Sequence, residues 1–327
     1  MKPVLVTGGA GYIGSHACKA LANAGYLPLA YDNLLHGNRH AVRWGPLIEG
    51  DILDRSVLDA TLSKWKPVAV MHFAAFAYVG ESVSDPGKYY RNNVGGTLSL
   101  LEAMRDGGFN RLIFSSTCAT YGAPQADVLD ESHPQNPINP YGASKLMAER
   151  MLRDFDAAHG LKSISLRYFN AAGADAAGEI GETHEPETHL IPLVLDAASG
   201  RRSHVTVYGN QYPTPDGTCI RDYIHVTDLA EAHLCAMRAL LDGAETTAYN
   251  LGNGNGYSVK QVIATVELVT GRSVGVRLGE GRVGDPHQLV GDATRIRQEL
   301  GWRPAHPDLA DIISTAWRWH QKLEGPP

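Results

Sequence analysis

Short apolar runs alternate with amphipathic stretches through the first half of the chain. Strand-length runs fall at residues 4–6, 27–31, 68–72, 112–115 and 163–167, and stretches with apolar positions at helical spacing lie at 15–24, 56–65, 89–106 and 140–159. A strand covered on both faces reads as a continuous apolar run rather than an alternating one. The rhythm therefore predicts an α/β architecture: a doubly wound parallel sheet with helices on both faces and right-handed crossovers. After Arg167 the rhythm loosens. Gly, Pro and His accumulate between Ala171 and Pro192, and a second irregular stretch runs from Tyr208 to Cys219. Residues 222–241 read as a strand end feeding a helix, with Thr227 and Asp228 as N-cap candidates. The tail, 258–320, reads as helix, strand, loop and helix. The pattern predicts a large domain over 1–169, to which 220–245 returns, and a smaller α/β C-terminal domain from 170–219 and 246–327.

The first strand–helix junction carries candidate chemistry. From Val4 to Gly14 the chain reads VLVTGGAGYIG, so Gly8, Gly9, Gly11 and Gly14 follow an apolar strand and open a helix. Glycines there permit a tight turn, close backbone approach to a pyrophosphate and close helix–strand packing. The helix N-terminus adds oriented N–H groups and partial positive charge. A glycine triplet alone is a weak signal. Here the strand, the helix and an acidic residue about 20 positions on all agree. That residue is Asp32, at the end of the second strand, placed to accept hydrogen bonds from a ribose diol and to repel a 2′-phosphate. NAD is thereby favoured over NADP, with Arg39 and Arg43 nearby as the opposing signal.

Tyr141 and Lys145 stand at i and i+4 in PYGASK on a predicted helix, and so share one face. A lysine ammonium beside a tyrosine, with the positive nicotinamide above it, would depress the phenol from its free value of about 10, making a base for a sugar hydroxyl. The alternative is a solvent-facing pair with no chemistry. Upstream, FSSTCATYG puts Ser115, Ser116 and Thr117 at the C-terminal edge of the sheet, where doubly wound folds bind ligands. Thr117 could address a reacting oxygen, or these hydroxyls could cap the turn after the strand; both can hold for neighbouring residues.

Composition narrows the classes. The chain has 327 residues, 43% hydrophobic and 20% charged, enough for a proper core. A net charge of −6 argues against a nucleic-acid binder. Cys18, Cys118, Cys219 and Cys235 are scattered, with no CxxC pair and no clustered histidines, so neither a disulfide framework nor a metal site is expected. No uninterrupted apolar run of about 18 residues occurs, so no membrane span is expected. No signal peptide is read at the N-terminus, and a cytoplasmic location is expected.

With TGGAGYIG, the strand-end Thr117 and YGASK assembled, the chain resembles the extended short-chain dehydrogenase/reductase family, most closely its UDP-glucose (UDP-galactose) 4-epimerases. DNL (32–34), GDI (50–52), HFAA (72–75), VGESV (79–83), YYRNNVGGT (89–97), RYFNAAGA (167–174), DGTCIRDYIHVTDLA (216–230), YNLGNG (249–254) and GRVGDP (281–286) carry the likeness in order along the chain. The resemblance implies a Rossmann domain binding NAD through Gly8, Gly11, Tyr12, Ile13, Gly14, Asp32, Asn33, Asp51, Ile52, Phe73, Ala74, Asn92, Ser115, Tyr141, Lys145 and Tyr168. It implies that Thr117, Tyr141 and Lys145 are catalytic, and that Asn170, Leu190, Arg221, Arg282 and Asp285 hold a uridine diphosphate. A planar guanidinium suits a diphosphate.

The implied activity is reversible 4-epimerisation of a UDP-sugar through a 4-keto intermediate by a homodimer. A UDP-pentose epimerase, a nucleotide-sugar 4,6-dehydratase and a non-catalytic NAD sensor are the alternatives. Related dehydratases place Asp–Glu after the strand-end Thr, where this chain has Cys118 and Ala119. Three positions depart from the best-known bacterial pattern: Ala77 for a lysine that reaches the cofactor, His189 for an asparagine beside the nucleotide, and Leu289 where residue size sets the sugar pocket.

Overall fold

The computed structural model describes residues 1–281 and 286–323. Along the first half run β1 (Lys2–Thr7), α1 (Tyr12–Asn23), β2 (Tyr26–Asp32), β3 (Leu47–Glu49), α2 (Arg55–Trp65), β4 (Ala69–His72), α3 (Val79–Ser84), α4 (Pro86–Tyr89), α5 (Gly96–Gly107), β5 (Arg111–Thr117), α6 (Pro140–His159) and β6 (Lys162–Tyr168). Then follow β7 (Asn170–Ala172), α7 (Leu190–Ser199), β8 (Val205–Tyr208), β9 (Ile220–His225), α8 (Val226–Leu241), β10 (Thr247–Leu251), β11 (Gly256–Ser258), α9 (Val259–Thr270), β12 (Val276–Gly279), β13 (Gln288–Leu289), α10 (Thr294–Glu299) and α11 (Leu309–Leu323).

Seven strands form one parallel sheet in the order β10-β6-β5-β4-β1-β2-β3. All five strands expected from the apolar runs are in it. Two were not expected: the three-residue β3, and β10, which lies at the sheet's edge although 246–327 was expected in the smaller domain. Alternation along the strands splits the core into two layers. Val4 and Val6 pack with Leu21 of α1 and Leu229 and Met237 of α8 on one face. Leu5, Val70 and Phe114 pack with Leu58 of α2, Leu101 of α5 and Leu152 of α6 on the other. A separate core joins α7, α9 and α11 through Val194, Val266 and Ile313. Beside it, β9 pairs with β7, β11 and β13.

The helix that presents Tyr141 and Lys145 has strong end signals. The Asn139 side chain caps it by accepting the Gly142 N–H at 2.8 Å, Pro140 occupies its first turn, and Gly160 closes it in the left-handed region. Two expectations change. The cap of α8 is neither Thr227 nor Asp228 but His225, whose Nδ1 accepts the Thr227 N–H at 3.1 Å. Asp228 is buried and accepts the N–H groups of Ala305 and His306, tying the C-terminal segment to α8. The single helix expected over 89–106 is broken by a π-helical turn at Tyr90–Gly95. That turn buries Asn93, whose amide bonds the Phe76 backbone at both ends and reaches Ser144 of α6. Such turns are frequent at functional sites.

Strand order reverses between β1 and β4, and the loops after these two strands touch: a Cβ on Gly8 would meet the Ala74 nitrogen at 2.7 Å. Gly14 is equally constrained, since a Cβ there would stand 2.1 Å from the Gly8 carbonyl oxygen. Ligands in open α/β sheets bind at such a switch point.

Candidate active site

A cavity of about 880 Å³ opens over this switch point. Its floor at one end is the N-terminus of α1, which starts at Gly11 with no side-chain cap and no acidic residue in its first turn. The first-turn N–H groups are thus left for an anionic ligand. Asp32 lines the same end, nearly buried, its carboxylate oriented by the N–H groups of Ala10 at 3.0 Å and Leu34 at 2.8 Å. Burial pushes the Asp32 carboxyl up, and those two N–H groups oppose the rise. The arginines that left NADP open are occupied elsewhere: Arg39 pairs with Glu49 at 2.8 Å, and Arg43 bonds the Glu179 carbonyl at 3.1 Å. A glycine cradle, an uncapped helix start and a carboxylate at the end of β2 fit NAD.

At the far end, β5 and α6 bring the candidate catalytic groups together. Tyr141, Lys145, Thr117 and Ser115 all line the cavity. Thr117 makes two contacts. Its hydroxyl oxygen accepts the Ala119 N–H at 3.1 Å, capping the turn after β5, and the hydroxyl also hydrogen-bonds the Tyr141 phenol. Ser115 meets the Tyr168 hydroxyl at 2.5 Å. Lys145 is 4% exposed and donates from Nζ to the Ser115 carbonyl at 2.8 Å, with Nζ 4.9 Å from the centre of the Phe114 ring.

The groups of the chain alone, without the nicotinamide charge, shift both members of the pair through burial. Burial drives the Tyr141 phenol above its ordinary value, and the Thr117 hydrogen bond lowers it only in part. Lys145 is itself pulled down to about 7, by burial first, with the Glu149 charge opposing. Spacing on a helix brought the two side chains to one site, and desolvation is the largest cause of the shift of each.

Behind the strand end lies a buried ion pair. Glu149 accepts from Arg167 Nε at 2.9 Å, from a second Arg167 nitrogen at 2.6 Å and from the Ser116 hydroxyl at 2.5 Å. Arg167 continues to the Tyr121 hydroxyl at 3.0 Å, which donates to Asn250 at 2.6 Å. This network fixes β5, β6, α6 and β10 around Thr117.

Residues 4–252 match the NAD dependent epimerase/dehydratase family. The chain belongs to that family. It is 55% identical over 319 residues to a UDP-glucose 4-epimerase of Rhizobium leguminosarum bv. trifolii, covering 98% of this chain and 97% of that one. A crystal structure of the UDP-glucose 4-epimerase of Brucella ovis in complex with NAD superposes with a TM-score of 0.96, at 54% identity, covering 98% of this chain and 99% of the other. That of Bifidobacterium longum in complex with NAD+ and UDP gives a TM-score of 0.93 at 36% identity, covering 99% of each chain.

Within this epimerase/dehydratase chain the cavity gathers most of the expected residues. Gly8, Gly11, Tyr12, Ile13, Gly14, Asn33, Ile52, Phe73, Ala74, Asn92 and Tyr168 line it with those already named, as do Asn170, Arg221, Ala77 and Leu289. Two do not. Asp51 stands behind Asn33, accepting its amide at 2.9 Å. Leu190 begins α7 and packs into the second core. Arg282 and Asp285 lie outside the described residues. Sequence reasoning missed His36, Phe76, Asn139, Glu182 and His184 on the wall. The last two come from the His-rich stretch before Pro192, where the chain has neither helical nor strand period to assign a face.

Proposed function

We propose that this chain is an NAD-dependent UDP-sugar 4-epimerase acting between UDP-glucose and UDP-galactose. The observation that carries the reading is the convergence of Thr117, Tyr141 and Lys145 in the cavity that holds the glycine loop and Asp32 at its other end. Asp32 would receive the adenosine ribose, the start of α1 the pyrophosphate, and Lys145 the nicotinamide ribose. When bound, NAD supplies the hydride acceptor and donor, and the positive nicotinamide adds charge that favours a Tyr141 phenolate against burial.

The chain's own groups move the proton. Tyr141 Oη takes it from the sugar 4-hydroxyl in one direction and returns it in the other. Thr117, whose hydroxyl bonds the Tyr141 phenol, stabilises its charged form and can switch to the sugar oxygen. Asn170 and Arg221 line the same cavity. They tether the diphosphate while the 4-keto sugar turns to present its other face. Cys118, pushed up to about 12 by burial, supplies no acid for eliminating water, which disfavours a dehydratase.

Two further parts belong to this proposal. The free state of all four cysteines supports a reducing, cytoplasmic setting, and among the described residues no helix is long and apolar enough to cross a membrane. Leu98 of α5 and Met147 of α6 are apolar yet 39% and 47% exposed, which supports homodimerisation through those helices.

Leu289 and Pro286 line the cavity, and Leu289 packs against the Tyr121–Leu129–Phe169 cluster, so its bulk is fixed in place. Purified enzyme is expected to convert UDP-galactose at least about tenfold better than UDP-N-acetylgalactosamine, with Leu289→Ala narrowing that ratio by about tenfold. A panel assay with these two substrates and UDP-xylose checks this. A marked preference for UDP-xylose, or no turnover of UDP-galactose, would overturn the reading.

A further inference from the structure

Glu182, His184, Glu187 and His189 come from one short segment, yet their side chains converge at the cavity wall. One ligand atom from each lies within 4.8 Å of all the others. Glu182 Oε1 is 3.1 Å from His184 Nδ1 and 2.7 Å from His189 Nδ1. Glu187 reaches His184 Nδ1 at 3.8 Å through one oxygen and His189 Nδ1 at 3.2 Å through the other. With Glu187 Oε1 as its donor atom, the separations of 2.7, 3.1 and 3.2 Å lie close to the edge of about 3.4 Å expected of a tetrahedron with metal–ligand bonds of about 2.1 Å.

Charge points the same way. Two carboxylates and two neutral imidazoles sum to −2, which one divalent cation cancels. The two histidines face the same Glu182 oxygen with ring centres 5.4 Å apart, so a single cation can take both as ligands together with the carboxylates.

The cluster is also held from outside, as metal ligands are. Trp319 Nε1 donates to the Glu182 carbonyl at 2.9 Å, and Glu187 Oε1 accepts the N–H groups of Thr188 and His189. His184 packs edge-on against Tyr12 and Tyr78, with centroids at 6.2 Å in each case. His plus carboxylate donors at this spacing suit zinc and its first-row neighbours.

We propose that Glu182, His184, Glu187 and His189 form a tetrahedral site for a zinc-class divalent cation. The bound ion pins segment 181–189 as a wall of the cavity beside the start of α1. The site is structural, with four protein ligands, and it stands independently of the epimerase reading.

The test uses tag-free, NAD-loaded protein treated with a chelator and titrated with Co2+, then Zn2+. The expected result is one Co2+ per chain with the intense visible bands of a tetrahedral N/O site, displaced by Zn2+. Zn2+ should also raise the melting temperature. His184→Ala and Glu187→Gln should each weaken Zn2+ binding by roughly ten- to a hundredfold or more. Their cooperative melting in the metal-free state checks that they fold. Absence of stoichiometric binding, an octahedral Co2+ spectrum, or affinity unchanged in both variants would overturn the proposal; the cluster would then be a protonated ion-pair network.

Discussion

Tyr141→Phe is expected to cut turnover of UDP-galactose by about 10²–10⁴-fold, the range that a positioned proton-transfer group contributes. The substitution removes one oxygen and keeps the ring, which packs edge-on to Tyr89 with centroids 6.5 Å apart. The glycine loop and Asp32 lie at the other end of the cavity, so NAD content should be unchanged. Thr117 retains its bond to the Ala119 N–H, so the strand end keeps its shape. The measurement is steady-state turnover beside NAD stoichiometry and thermal melting. Near-normal turnover in a folded, NAD-loaded variant would remove Tyr141 from the chemistry.

The second large effect is on stability. Arg167→Met is expected to destabilise the fold by about 3–5 kcal/mol, because it strands the Glu149 carboxylate inside the protein. Glu149 and Arg167 side chains are 3% and 5% exposed, and Ser116 and Gln135 would be the remaining partners. Denaturant midpoints check the magnitude, and pH checks the cause. In the native chain burial raises the Glu149 carboxyl, but Arg167 prevails and holds it below its ordinary value of 4.5. A depressed folded pKa gives stability that is complete above the unfolded value and is lost as pH falls through the folded one. In Arg167→Met, burial acts with less opposition and the shift reverses, so acidification should relieve the defect. The stability gap between the two proteins should therefore narrow as pH falls, first above about 4.5 as the variant's raised carboxyl takes up its proton, then below it as the native contribution is lost. A gap independent of pH would mean that packing, not charge, carries the effect.

What was legible in the sequence was what depends on local pattern. The glycine loop, Asp32 and the capped helix of Tyr141 and Lys145 are specified within a few residues each, and the structure places them as expected. β3 escaped notice because three residues are too short for a pattern. β10 was assigned to the wrong side because its sheet partner, β6, lies far away in sequence. The π-helical turn was invisible since one extra residue in a turn leaves the apolar spacing almost unchanged. The rise of the Tyr141 phenol in the chain alone needed burial, which spacing does not report. The Glu182–His189 cluster needed the path of a loop in a Gly- and Pro-rich region, where no period tells which side chains meet.

The central claim is that hydride leaves C4 of the sugar and comes back within one cavity. Incubating the purified enzyme, with no added cofactor, with UDP-galactose deuterated at C4 tests it most directly. The account predicts UDP-glucose that keeps the deuterium at C4, with none appearing in water. Product that has lost the label to solvent would contradict the account, because C4 would then exchange as a proton rather than return as a hydride.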